Sequence, residues 1–279
     1  MAKALQLHEQ LVSRIAELRS CLVAFSGGVD SAVVAKAAHL ALGDRAIAVT
    51  GVSASLAAGE LDIARRIAQF IGIQHETIST DELSDPGYLQ NAPNRCWHCK
   101  TELYEQMQKL ADRLGRPVLL NGANLDDQGD FRPGMQAAEE HNVRSPLLEC
   151  GIDKQGVRQL ARYWELEVWD KPATPCLSSR VVYGLDITPE RLARIDAAEQ
   201  VLRELELPTV RVRCHQDELA RLEVPTEALP MLCEAGLREQ LVKQLRALGF
   251  HYVTLDLEGF RSGCFHQLIS PDDLTRAIT

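Results

Sequence analysis

Residues 26–31 read Ser-Gly-Gly-Val-Asp-Ser, two hydroxyls and a carboxylate around a pair of glycines. Glycines let an anion approach the backbone, because no Cβ stands in the way. Ser26 and Ser31 add hydroxyl donors, and Asp30 is suited to a magnesium ion (Mg2+) or its waters. A second group of chemical interest is Cys96-Trp97-His98-Cys99, with a third cysteine, Cys176, in the proline-flanked stretch Pro172–Arg180. A third is the pair Arg211 and Arg213, spaced to share one face of a strand and suited to clamping a phosphate.

These residues need particular elements behind them. Cys21–Phe25 is a short apolar run of the kind buried on both faces of a parallel sheet. From Asp30 onward the apolar residues recur at helical spacing. Strand, glycine turn and helix together aim free N–H groups at an anion. The turn lacks the Gly-Lys-Ser/Thr ending of the common phosphate loop, and the chain has no G-x-G-x-x-G fingerprint. It resembles instead the pyrophosphate loop of the ATP pyrophosphatase superfamily, which implies cleavage of ATP to AMP and pyrophosphate. That resemblance assigns Ala24, Ser26, Gly27, Gly28, Asp30 and Ser31 to the nucleotide and puts adenine near the end of the next strand.

That strand is expected at Ala46–Val52, followed by a helix over Leu56–Ile71 and a strand over Gln74–Ser79. Strand and helix alternate with short connections, so the fold class is α/β, a doubly wound parallel sheet of the PP-loop type. Residues 85–100 break the pattern with two prolines and several asparagines, and the C-x-x-C is expected in this loop, ahead of a helix from about Lys100 to Leu114. Val118–Leu120 is a further strand. Its exit, Asn121–Asp127, lies where ligands bind in such sheets, which makes Gly122 and Asp126 nucleotide or magnesium candidates beside the alternative of a solvated acidic loop. Phe131–Gly134 looks like a second turn near the nucleotide. A helix is expected over Lys154–Leu166. Beyond Gly184 the character changes to a charged helix from Pro189 to Leu205, antiparallel-looking strands at Thr209–Cys214, Leu219–Val224 and Tyr252–Leu257, and a helix over Glu227–Leu248. Two domains follow: 1–184 with the loop and cysteines, and 185–279, a smaller α+β domain for substrate binding and oligomerisation.

The net charge of −9 argues against a large nucleic-acid footprint, which needs a basic face. No apolar run approaches the ~18 residues of a membrane span, and the charged N-terminal stretch is not a secretory signal, so a cytoplasmic enzyme is expected. In that compartment the eight cysteines point away from a disulfide framework. For Cys96 and Cys99 a redox pair, a structural zinc site and an iron–sulfur cluster all remain open. Cys176 is the natural third cluster ligand, because it sits among polar residues, whereas Cys21, Cys150, Cys214 and Cys233 suit burial as small hydrophobes.

Four segments together carry a closer resemblance: SGGVDS, PCLSSR around Cys176, PTVRVR at 208–213, and YVTLDLEGFRSG at 252–263. They resemble the LarE sulfur transferases over nearly the whole chain. The resemblance implies adenylation of the carboxylates of pyridinium-3,5-biscarboxylic acid mononucleotide and their replacement by thiocarboxylates, on the way to the nickel-pincer nucleotide of lactate racemase. It also implies ATP, Mg2+, a sulfide source and a homo-oligomer of trimeric or hexameric kind. Sacrificial members give up the sulfur of the cysteine matching Cys176. Other members bind a 4Fe-4S cluster through three cysteines, which Cys96, Cys99 and Cys176 match. On this basis Cys176, Asp30, Arg180 and Glu199 are the catalytic candidates, and Arg211 and Arg213 bind the substrate's phosphate. The enzyme alternative is tRNA thiolation, and the non-catalytic one is a nucleotide-sensing binding protein.

Overall fold

The computed structural model describes residues 2–115, 118–128 and 133–261. Phe131-Arg132, the first half of the turn expected at Phe131–Gly134, and the end of the last motif, Ser262-Gly263, lie outside the described residues, and Pro133-Gly134 open a helix rather than a turn. The chain forms two units, one running to Glu82 and resuming over Cys96–Thr174, the other formed by Leu83–Arg95 and the chain from Pro175. The change of character expected at Gly184 therefore stands against a division at Pro175, with a return segment, 83–95, that the composition did not mark.

The first unit begins with α1 (Ala2–Ala16), β1 (Cys21–Ala24), α2 (Val29–Leu42), β2 (Ala46–Val52), α3 (Glu60–Ile71) and β3 (Gln74–Ser79). A short helix α4 (Pro86–Leu89) belongs to the second unit, and α5 (Arg95–Leu114), β4 (Val118–Leu120), α6 (Pro133–Glu140), α7 (Pro146–Glu149) and α8 (Lys154–Tyr163) complete the first. The strands form one parallel sheet in the order β3-β2-β1-β4. Alternate side chains serve opposite faces, as a pleated strand requires. Cys21, Val23, Ala46 and Ala48 join the core under α1, α2, α3 and α8. Leu22, Ile47, Val49 and Leu119 join the one formed with Tyr104, Met107 and Leu110 of α5 and Ala137 of α6. Each large apolar side chain buried this way contributes on the order of 1.5–3 kcal/mol. The strand order reverses between β1 and β4, and a crevice outside the carboxyl ends of the strands at such a point is where ligands bind.

In the second unit α9 (Pro189–Arg203) packs on β5 (Arg211–His215), which pairs antiparallel with β6 (Leu219–Glu223). Two helices, α10 (Leu229–Cys233) and α11 (Ala235–Ala247), lead to β7 (Tyr252–Leu255), which pairs parallel with β6. The expected antiparallel sheet is thus mixed. The reason is the helical crossover, which brings β7 back in the direction of β6. The single helix expected over 227–248 is broken at Glu234, whose backbone is extended (φ −59°, ψ 135°). Cys233, expected to be buried, is exposed, and Cys150 is only partly buried.

Candidate active site

The turn after β1 is built from its own hydroxyls. Ser31 Oγ accepts from the Ser26 N–H (3.2 Å) and donates to the Gly28 carbonyl (3.1 Å). The Gly28 N–H donates to Ser26 Oγ at 3.3 Å. Gly28 is the N-cap of α2 and supplies no side-chain acceptor, so the helix N-terminus faces the turn without a covering side chain. Gly27 has φ +70°, and a Cβ there would lie 3.0 Å from Ala64 Cα, which lets α3 close against the turn. Gly122, at the exit of β4, is closer still. A Cβ would fall 2.9 Å from Ser31 N and 3.1 Å from the Asp30 carbonyl carbon. The expected nucleotide residues Ala24, Ser26, Gly27, Gly28, Asp30, Ser31, Gly122 and Asp126 therefore gather at the carboxyl edge of β1 and β4.

Asp30 is held from two sides. Asn124 Nδ2 donates to its Oδ1 at 3.0 Å, and Lys154 Nζ pairs with its Oδ2 at 2.5 Å. The side chains are partly open to solvent, 26% for Asp30 and 35% for Lys154. Asp30 fits a magnesium ion by its chemistry: it is a reachable carboxylate whose present cation can move aside. Asp126 is committed differently, since its Oδ2 accepts the Lys154 N–H (3.1 Å) at the start of α8. Asp127 accepts the Asn124 N–H in a capping box. Neither Lys154 nor Asn124 was assigned a role from sequence. An isolated lysine near a helix start has no signature until the fold sets it against Asp30.

In the second unit Cys176 precedes a single 3-10 turn, Leu177–Arg180. Arg180 is fully buried and pairs with Glu199, also fully buried, at 2.9 Å. Its Nη1 donates to the carbonyls of Pro175 and Cys176 and to Ser179 Oγ. Arg213 Nη1 donates to the Ser179 carbonyl at 2.9 Å, and its guanidinium pairs with Glu223 at 2.8 Å. The return segment supplies further ties. Tyr88 Oη meets Ser178 Oγ at 2.6 Å, Arg95 Nη1 donates to the Ser178 carbonyl at 2.8 Å, and Asn91 Nδ2 donates to the Val181, Val182 and Leu185 carbonyls. Arg211 donates to the Val210 carbonyl and stands 5.3 Å from the Phe260 ring. Burial and the nearby Arg180 hold its pKa down at about 10. Among the described residues of this unit four guanidiniums, Arg95, Arg180, Arg211 and Arg213, are buried against two carboxylates, Glu199 and Glu223. Guanidiniums suit an anionic ligand, because their planar donors can take a carboxylate or phosphate in pairs. Sequence reasoning found Arg180, Glu199, Arg211 and Arg213 but missed Tyr88, Asn91, Arg95 and Glu223.

The C-x-x-C is not in a loop, as its sequence neighbours suggested. It occupies the first turn of α5, which begins at Arg95. The prolines and asparagines precede the helix, where they are tolerated, and nothing within Cys96–Lys100 interrupts it. Cys96 is exposed and Cys99 partly so, and the i,i+3 spacing puts them on one face. Between them Trp97 packs on the core and donates to Glu140 at 2.8 Å, which anchors the turn. Among the described residues no three His, Cys, Asp or Glu side chains group as one metal site.

Comparison with known proteins agrees with this geometry. The asparagine synthase family model matches residues 4–110. An uncharacterized protein of Synechocystis sp. is 47% identical over 94% of this chain and 97% of its own length. The pyridinium-3,5-bisthiocarboxylic acid mononucleotide synthase of Lactiplantibacillus plantarum is 39% identical over 96% of this chain and 94% of its own. A tRNA-specific 2-thiouridylase of Rickettsia africae is 30% identical, over 54% of this chain and 51% of its own. With relatives matched end to end in this way, and with the glycine turn seated at the switch point of a parallel sheet, the chain belongs to the LarE family of PP-loop, ATP-dependent sulfur-transferring enzymes.

Proposed function

We propose that the chain converts the carboxylates of pyridinium-3,5-biscarboxylic acid mononucleotide into thiocarboxylates at the expense of ATP. The observation that carries this is the 39% identity, across both units, to a synthase of the bisthiocarboxylic product. The turn that a nucleotide needs is present on the first unit, and a cysteine turn with buried guanidiniums around it is present on the second.

A carboxylate resists substitution because oxide is a poor leaving group. In the first step a carboxylate oxygen attacks the α-phosphorus of ATP, the bond to the β-phosphate oxygen breaks, and pyrophosphate leaves. The backbone around Gly27 and Gly28 and the Ser26 and Ser31 hydroxyls receive the phosphates, and Asp30 is the residue that would hold a magnesium ion, which would neutralise charge on the departing pyrophosphate. In the second step a sulfur nucleophile attacks the acyl carbon and the carbon–oxygen bond to AMP breaks. Arg211 and Arg213 bind the substrate's phosphate, a role that their guanidinium chemistry and their place on one strand support. Arg180 and Glu199 fix the carbonyls of the Cys176 turn.

For the sulfur donor, Cys96, Cys99 and Cys176 are the residues that would hold a 4Fe-4S cluster. Thiolates are the ligands such a cluster takes, and three of them leave one iron for an exogenous sulfide. Cys96 and Cys99 fit as a pair on one exposed helical turn. The second reading is that Cys176 itself gives up its sulfur. It is favoured by the way its turn is fixed at three carbonyls, those of Pro175, Cys176 and Ser179, while its thiol stays partly exposed.

Anaerobic incubation with Mg-ATP and the mononucleotide tests the function: AMP, pyrophosphate and a product with sulfur in place of oxygen are expected. ADP and orthophosphate as products would overturn it. Mass spectrometry of the protein after turnover separates the donors. Cys176 stays intact with a cluster, whereas it loses the elements of hydrogen sulfide, ~34 Da, if it is sacrificed.

A further inference from the structure

We propose that Lys154 is the phosphate-binding cation of the nucleotide turn, parked on Asp30 until a polyphosphate arrives. The proposal rests on the reading of residues 26–31 as the nucleotide site. That turn has no lysine of its own, although the phosphates it would receive carry several negative charges. Backbone N–H groups and hydroxyls supply only partial positive charge.

The fold supplies the missing cation from a distant part of the chain. Lys154 is the first residue of α8, and its Nζ lies 2.5 Å from Asp30 Oδ2, one residue before the Ser31 hydroxyl that closes the turn. Its backbone is fixed. Asp126 Oδ2 accepts the Lys154 N–H, and Asp153 accepts the Gly156 N–H at 2.7 Å as the helix N-cap. Asp126 in turn follows Gly122, whose backbone lies against the N-terminus of α2. The base of the lysine is therefore tied to the same helix end that would bind phosphate, while its four-carbon stem is free to turn.

The pair itself is made to be exchanged. Both side chains keep a part of their surface open to solvent, so an incoming anion and a cation can reach the lysine and the carboxylate. Asn124 continues to hold the other oxygen of Asp30 when Lys154 leaves. A magnesium ion at Asp30 and a phosphate at Lys154 are then complementary replacements, each taking the partner that the other gives up. A purely structural lysine would instead serve only to neutralise Asp30.

The experiment is calorimetric binding of inorganic pyrophosphate, without metal, to the full chain and to Lys154→Met, Lys154→Gln and Lys154→Arg. Loss of at least tenfold in affinity with Met and Gln, and recovery of most of it with Arg, at an unchanged unfolding midpoint, is the expected result. Asp30→Asn, which releases the lysine, should bind metal-free pyrophosphate at least as tightly as the unaltered protein. Met and Gln variants that bind pyrophosphate like the unaltered chain would overturn the role of Lys154 and leave the nucleotide site standing. An unaltered chain that binds neither pyrophosphate nor Mg-ATP would overturn the reading of the turn, and this proposal with it.

Discussion

At residues 26–31 room for a ligand comes from side chains that are missing, whereas at residues 176–180 long side chains from other elements fill the space around the turn. Gly27 and Gly122 let backbone meet backbone, and the charged groups there, Asp30 and Lys154, remain partly in solvent. Around Cys176 the positioning groups are guanidiniums and carboxylates sealed from water. The first arrangement is set by steric tolerance at single positions. The second is set by a network in which each buried charge depends on its partners.

The largest effect therefore belongs to the second. Arg180→Met takes from the buried Glu199 carboxylate its fully buried partner, leaving the partly exposed Arg203 and the Val212 N–H, and takes from the Pro175 and Cys176 carbonyls their shared donor. Breaking a buried pair in this way costs about 3–5 kcal/mol. Denaturant unfolding should show it, and Arg180→Met combined with Glu199→Leu should recover part of the loss. A single-variant cost below about 1 kcal/mol, the scale of an exposed pair, would remove the distinction between the two turns.

Next come the glycines. Gly122→Ala forces a Cβ to within 2.9 Å of Ser31 N, and Gly27→Ala adds a positive φ to a 3.0 Å contact with Ala64 Cα. Overpacking of this kind costs about 1–3 kcal/mol. The contacting atoms belong to the backbone, so ATP affinity should fall by more than the stability change accounts for. Unaltered ATP binding in Gly122→Ala would show that the close approach does not shape the site.

An effect of similar size on stability is expected at the return segment. Arg95→Leu removes one donor each from Asn91 Oδ1 and the Ser178 carbonyl, both buried. The expected loss is about 1–3 kcal/mol, with faster alkylation of Cys176 as its turn loosens. An alkylation rate equal to that of the unaltered protein would mean that Arg180 and Arg213 hold the turn alone.

These differences also explain what the sequence made legible. A glycine turn between an apolar run and a helix is a local signal, because the hydrogen bonds that shape it join Ser26, Gly28 and Ser31, and the parallel α/β class followed from the alternation of strand and helix runs; the approach of Ala64, Gly122 and Lys154 to the turn left no such local mark. The network around Cys176 is non-local: Arg180 meets Glu199, Arg213 meets Glu223, and Ser178 meets Tyr88 and Arg95 from far upstream. Asn91 and Arg95, four residues apart, are hydrogen-bonded to each other, but the spacing read as part of a polar loop. The start of α5 was missed for the same reason, since the two prolines upstream outweighed the helical tendency of the residues after them.

The smallest effect should come from charge on the surface of the first unit. Glu149 accepts from Arg144 Nε at 2.9 Å and from Arg14 Nε at 2.8 Å. The hydrogen bond from Arg144, and then that from Arg14, hold its carboxyl below the ordinary carboxylate range against the opposing effect of partial burial. A carboxylate whose folded pKa is depressed contributes stability that is fully present above its unfolded pKa. That contribution is lost as the pH falls from the unfolded pKa through the folded one, because over that interval the unfolded state binds a proton that the folded state does not, and the loss is complete once the folded state is protonated too. The acid limb of the stability curve should therefore contain a shallow step below the usual carboxylate pKa, and Glu149→Gln should remove it. The group is partly exposed and solvent screens it, so the step should stay within about 1 kcal/mol, several times less than the cost of Arg180→Met. A step at Glu149 as large as the Arg180 loss would mean that exposed pairs stabilise the first unit as strongly as buried ones stabilise the second, and the contrast between the two turns would then reduce to where the glycines lie.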